Sequence, residues 1–430
     1  MRAPHLPPSI WRAHRREQAG FTLVELMVAM TGGLFLSIVV FALSRDASRF
    51  YQRESRVANA TLAGVSGFER LSSDIARAGH MTTANITSDP RVCNRPAANW
   101  PAMLAKLRAI LIEEDTTLSD ATEVGDAGIK PKGIVIAGAL NMPEVLTTAS
   151  VKENGGGGWE ISINTDTPAA ARAGLSPSNA ATAANLAVLQ SAFIAPGNNG
   201  RIVRLRKKGV DQYGVVANVA ATPGPQIALA LVNLAPTPAL FRPANAAELC
   251  GISGNATDMD VSVIDLVRYS IRSMTTDANY AALYAASGLG TGGGASALPY
   301  EAKRAELVRV ELTPAGDEIA ATREIVGEYA VDLQFNAWRA TNANTPALLA
   351  VGESVNDTYA STHLIRGISA RFSVRSREAD RERGITLGTG GTSNNLYRMQ
   401  LAGPGGTPVF ARVRTFQSNI ALRNLENSNW

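Results

Sequence analysis

From Phe21 to Leu43 the chain is apolar except for Thr22, Glu25, Thr31, Ser37 and the pair Gly32-Gly33. As a helix rising about 1.5 Å per residue this run is roughly 35 Å long, enough to cross a hydrocarbon core of about 30 Å. After Arg45 the pattern changes. Val57, Val65, Phe68, Leu71, Ile75 and Ala78 recur at three- and four-residue steps or their multiples, with Arg49, Arg53, Arg56, Glu69 and Arg70 mainly off that line. This is the signature of an amphipathic continuation of the same helix. Gly64 and Gly67 weaken it without ending it, and Gly79 is its expected stop. The prediction is one helix over 21–79, membrane-spanning over 21–43, whose outer half needs something to cover its stripe.

Residues 80–260 carry short apolar runs separated by Pro, Gly, Asn and Thr clusters. Ile134–Ile136, Trp159–Ile163, Ile202–Leu205, Val215–Ala217 and Ile227–Val232 read as strands, and the Ala-rich stretch 180–193 as a short helix. The last third has a period of two. Val308–Leu312, Val331–Asn336 and Ile368–Arg375 alternate apolar with polar or charged residues, which predicts strands with one buried face and one wet face. Val261–Arg272 and Val409–Leu425 add strands, and Gly288–Gly294 and Gly388–Gly391 mark loops. The expected fold class is α+β. A long N-terminal spine helix packs on an antiparallel sheet (261–430), with a loop- and β-rich sub-lobe (80–260) inserted between them.

Glu25 stands out in the apolar run. An unpaired carboxylate four residues inside a membrane span costs on the order of a few kcal/mol, so a cation is needed nearby. Cleavage between Gly20 and Phe21 would create one, the α-amino group of Phe21, at the right depth. The stretch Gly20-Phe21-Thr22-Leu23-Val24-Glu25, behind Arg15 and Arg16 and heading a membrane-length apolar run, resembles the class III signal sequence of type IV prepilins and pseudopilins. The resemblance implies that 1–20 is a leader removed by a prepilin peptidase. It also implies that Phe21 is N-methylated and that Glu25 guides docking to a neighbouring subunit. An ordinary secretory signal peptide cut near Ala42-Leu43-Ser44 and a plain single-pass anchor are the alternatives. The first needs a shorter apolar region without a glutamate. Flanking arginines do not set the orientation, since Arg2, Arg12, Arg15 and Arg16 precede the span and Arg45, Arg49, Arg53 and Arg56 follow it.

Further segments resemble minor pilins of the PilW type. They are Arg70–Gly79, Leu307-Val308-Arg309 with Val331–Phe335, Ile365–Glu378, and Ala421–Asn424. This likeness covers about 20–80 and 261–425 and leaves 81–260 without a counterpart. It implies a non-catalytic protein that primes or caps a type IV pilus. The head would lie in the periplasm before extraction into the pilus, at its tip. The implied partners are the prepilin peptidase, other minor pilins, the major pilin and an inner-membrane assembly platform. A minor pseudopilin of type II secretion, and an adhesin whose 80–260 lobe binds a ligand, are the other readings. With the head outside the cytoplasm, Cys93 and Cys250 are candidates for a disulfide closing a loop of about 157 residues, worth roughly 5 kcal/mol in the chain-entropy model. Two buried free thiols are the other reading.

Charge and motifs narrow the rest. The net charge is +4; the four arginines and one glutamate of residues 1–20 account for +3, leaving +1. With no dense basic patch, nucleic acid is not an expected partner. Gly288-Leu289-Gly290-Thr291-Gly292-Gly293 fits the spacing of a dinucleotide fingerprint, but an Ala-rich piece precedes it and Ala295–Pro299 follows, so it reads as a loop. His80 and His363 are isolated from metal-spaced partners, and Asp317-Glu318 reads as an exposed turn. No cofactor and no metal are expected, Asp258 and Asp260 being a weak calcium candidate.

Overall fold

The computed structural model describes residues 22–93, 100–114, 128–153, 159–176, 182–207, 209–222, 226–232, 258–275, 277–286, 304–342, 345–348, 362–377, 398–402 and 408–426. It is a long N-terminal apolar helix followed by a mostly antiparallel β domain, an α+β fold. Helix α1 runs Leu23–Ala76, 54 residues without a break. Residues 1–55 form one unit and 56–430 another.

The head contains β1 (Ile110–Glu113), β2 (Gly133–Gly138), β3 (Leu146–Glu153), β4 (Trp159–Asn164), β5 (Ile194–Ala195), β6 (Asn199–Gly200), β7 (Ile202–Lys207), β8 (Val210–Thr222), β9 (Gln226–Leu231), β10 (Asp260–Arg272), β11 (Glu306–Glu311) and β12 (Glu324–Gly327). It continues with β13 (Ala330–Asn342), β14 (Thr345–Leu348), β15 (Ile365–Arg375), β16 (Arg398–Ala402) and β17 (Pro408–Ala421). Each strand expected from the sequence falls on one of these, although Val409–Leu425 leaves β17 at Ala421 and ends in a 3-10 turn at Arg423–Leu425, and the Ala-rich stretch falls on a helix at Ala183–Phe193.

The pairings centre on β10. Its first half is hydrogen-bonded to β3 on one side and β7 on the other. The order β10-β3-β4-β9-β8-β7 then returns to β10, a closed six-stranded antiparallel ring. Closure leaves this ring no free edge. Its core holds Trp159, Ile161, Val203, Leu229, Val261 and Val263, with Leu189 and Phe193 of the Ala183–Phe193 helix packed in. The second half of β10 passes into a flatter sheet between β2 and β11, extended by β1 and β12. A third sheet has the order β14-β13-β15-β17-β16. The boundary expected at 260/261 therefore does not separate two sheets. The ring needs β10 to close, and β1 and β2, drawn from 80–260, pair in the sheet of β10 and β11. One 13-residue strand is long enough to serve both.

The outer part of α1 shares a core with the β10–β11 sheet and the β13–β15–β17 sheet. Its most buried positions are Ala60, Gly64, Gly67, Leu71, Asp74 and Ile75, with Ala78 just past its end, while Val57, Val65 and Phe68 of the apolar stripe are half-buried beside them. Small residues lead because the sheets come close: a Cβ on Gly67 would sit 2.8 Å from the Val326 carbonyl oxygen. Helix propensity alone favours Ala over Gly by about 1 kcal/mol. The backbone contact reverses the sign, and Gly67→Ala is expected to destabilise by about 1–3 kcal/mol, read as a lower melting temperature of the full chain in detergent. The helix ends as anticipated near Gly79, which takes φ +76° and donates its N–H to the Ala137 carbonyl.

Two of the three alternating strands lack the expected wet face, while β13 keeps Asn336 exposed and Gln334 half-buried. All six residues of β11 are buried, and most of β15 is buried on both faces. Several of their polar residues find partners inside the head. The Glu306 carboxylate accepts from Arg304 Nε (2.8 Å) and the Tyr284 hydroxyl (2.7 Å). The Ser373 and Thr415 hydroxyls meet at 2.9 Å, and the Arg375 guanidinium lies over the Tyr329 ring. Alternation reports side-chain chemistry, and here the second face is roofed by other elements that bring counter-charges.

Candidate functional site

The start of α1 is a reciprocal cap. Thr22 Oγ1 accepts from the Glu25 N–H (3.2 Å), and Glu25 Oε2 accepts from the Thr22 N–H and hydroxyl (3.0 Å each). This is the capping box, in which residues three apart satisfy orphan N–H groups at a helix N-terminus. Thr22 was not among the residues picked out from the sequence, although Thr-x-x-Glu before an apolar run is a readable signal. The carboxylate thus lowers the cost of its own position in an apolar segment. Leu23–Ser48 is long and apolar enough to cross a membrane, and its apolar stretch is not buried in the protein. Gly20 and Phe21 lie outside the described residues, as do Cys250 and the two Gly-rich loops. Cys93 is buried, its N–H donated to the Asp211 carbonyl.

The weak calcium candidates are built into backbone. Asp258 takes φ +61° and donates its N–H to the Thr148 carbonyl, and Asp260 opens β10 opposite Thr147 and Arg206. Among the described residues no group of three or more His, Cys, Asp or Glu is placed to hold a metal. His80 is half-buried, and burial and the Arg77 charge push its pKa down. His363 lies in a short 3-10 turn, far in sequence from any partner motif.

The structure brings together charges that sequence reasoning did not. Asp74, on the buried line of α1, accepts from the Tyr269 hydroxyl (2.7 Å) and Arg309 Nε (2.9 Å), tying the helix to β10 and β11. Glu318, read as part of an exposed turn, is instead the hub of three arginines: Arg272, Arg323 and Arg268. Although burial opposes it, bonding to Arg272 and Arg323 lowers its pKa to about 2. Its neighbour Asp317 does face solvent.

Where β10 passes from ring to sheet, Asp265 is almost fully buried. It accepts from the Leu140 and Asn141 N–H groups (3.0 and 2.8 Å) and lies 3.3 Å from Arg201. Burial raises its pKa to about 6, against the pull of Arg201. A carboxyl group with a folded pKa above its ordinary 3.8 binds its proton more tightly when folded. Its contribution to stability is full below pH 3.8 and is lost as the pH rises through about 6. Asp265→Asn is expected to flatten that slope, shrinking the difference in melting temperature between pH 4.5 and pH 7 relative to the parent chain. A slope unchanged in the variant would show that Asp265 does not carry it.

With this geometry in place, comparison adds one match: residues 15–31 fit the prokaryotic N-terminal methylation motif. No curated protein and no solved structure matches the chain. The motif and the apolar helix it leads into support a type IV pilin-like protein. The same motif implies processing by a prepilin peptidase and assembly with pilins, and the helix fits single-pass membrane anchoring.

Proposed function

We propose that this chain is a non-catalytic minor pilin of the PilW type that primes or caps a type IV pilus. The prepilin peptidase cuts after Gly20, the head waits in the periplasm, and Glu25 docks with the Phe21 amine of a neighbour. The observation that carries this reading is the methylation motif at 15–31, which runs into the start of a capped, membrane-length helix. A head of this size favours a tip position, because repeated copies would crowd a filament shaft. Within such a head we propose that Cys93 pairs with Cys250. Cys93 is buried, and no described cysteine is free.

Deleting the chain is expected to cut the number of surface pili. An epitope-labelled copy is expected at pilus ends, in complex with other minor pilins. Label spread along the shaft would refute the capping role. Unchanged piliation with loss of protein secretion would move the assignment to a minor pseudopilin of type II secretion.

A further inference from the structure

A cavity of about 870 Å³ opens where the six-stranded ring meets the β10–β11 sheet. It lies within the range of small-molecule sites, about 300–1,000 Å³. The β5–β6 hairpin lines one part of it, with Gly197 and Asn198 both at positive φ. Four carboxamides line it: Asn141, Gln190, Asn198 and Asn218. Their commitments differ. Asn141 spends an amide N–H on Asp265 (3.0 Å) and keeps its carbonyl, whereas Asn218 spends its carbonyl on the Val219 N–H (2.8 Å) and keeps its amide donors. The lining therefore offers both donors and acceptors.

The charges in the lining are mutually committed. Arg201 gives Nε and Nη2 to the two oxygens of Glu311, and Nη1 to the Ser191 and Ala192 carbonyls. Arg309 gives Nε to Asp74. An anionic ligand meets Glu311, a cationic one meets two guanidinium groups, and neither finds an uncommitted counter-ion. One donor is left over. Arg309 Nη2, behind the lining, is buried without a hydrogen-bond partner among the described residues, a donor still lacking an acceptor.

We propose that this cavity binds a neutral, hydroxyl-rich ligand, a saccharide. Each sugar hydroxyl both donates and accepts, as the carboxamides do, and the small apolar residues Ala195, Pro196 and Ala217 of the lining suit the C–H faces of a sugar ring. The inference goes beyond the proposed function and is independent of how the N-terminus is processed.

The test uses the full chain in a detergent without sugar groups, fluorescently labelled and applied to an array of neutral and acidic oligosaccharides. Retention on a set of neutral glycans is expected. It should fall at least tenfold for Asn218→Asp, which removes the amide donors and keeps the acceptor for the Val219 N–H, and for Ala217→Trp, which fills the space, with melting temperatures unchanged. Ala217 and Asn218 are both exposed, so neither change disturbs the core. No retention of any neutral glycan, retention confined to acidic glycans, or retention indifferent to both substitutions would overturn the proposal. Both variants are expected to assemble into pili normally, so a failure of binding and a failure of the pilin reading give different results.

Discussion

Asp74→Ala is expected to cost the head about 3–5 kcal/mol, the largest effect of any single side chain discussed here. Asp74 lies on the buried line of α1 and receives both the Tyr269 hydroxyl and Arg309 Nε. Arg309 is itself buried. Removing the carboxylate leaves a guanidinium inside the protein with its counter-ion gone, and leaves the Tyr269 hydroxyl without its acceptor. The cost is mainly that of the stranded charge. Tyr269→Phe, which takes away one neutral donor, should cost only about 1 kcal/mol. Replacing both charged partners, Asp74→Leu with Arg309→Met, should recover most of the loss, since buried ion pairs are often near neutral against apolar residues of similar volume. Thermal melts of the four proteins give the comparison. A double variant no better than Asp74→Ala would mean that the pair acts through geometry and not through charge.

Glu25→Val should leave processing intact and remove the chain from assembled pili. A charge pair in an apolar environment worth on the order of 3 kcal/mol corresponds to roughly 100-fold in an association constant. The capping box supplies a control, because Glu25 also holds the Thr22 N–H and hydroxyl. Thr22→Val removes the cap and keeps the carboxylate, at a cost near 1 kcal/mol to the helix start. If docking to a neighbour is the role of Glu25, Thr22→Val assembles nearly normally while Glu25→Val does not. Equal loss in both would make Glu25 a helix cap only. The readout is the amount of chain recovered in sheared pili relative to the membrane fraction.

Much of the fold was legible because its signals are local. The apolar run 21–43, the stop at Gly79 and the strands at Trp159–Ile163 and Ile202–Leu205 depend on neighbours in sequence, and the structure places them within a few residues. What was not legible is non-local. Nothing in Val261–Arg272 announces that its first half closes a ring and its second half sits in another sheet. Alternation in Val308–Leu312 suggested a wet face, yet Arg309 and Glu311 are buried because Asp74, 235 residues away, and Arg201, 110 residues away, supply their counter-charges. The cap at Thr22 is also a local signal, since Thr-x-x-Glu ahead of an apolar run is legible from four residues. At Gly64 and Gly67 the sequence shows only a propensity cost, and packing shows that they are where the sheets approach the helix.

The most direct test of the pilin account is the N-terminus of the mature chain, measured by mass spectrometry with and without prepilin peptidase. The account predicts a chain beginning at Phe21 and carrying one added methyl group, with the uncleaved leader retained when the peptidase is absent. A chain beginning at Arg45 or Asp46, or one that keeps Met1 when the peptidase is present, would contradict it.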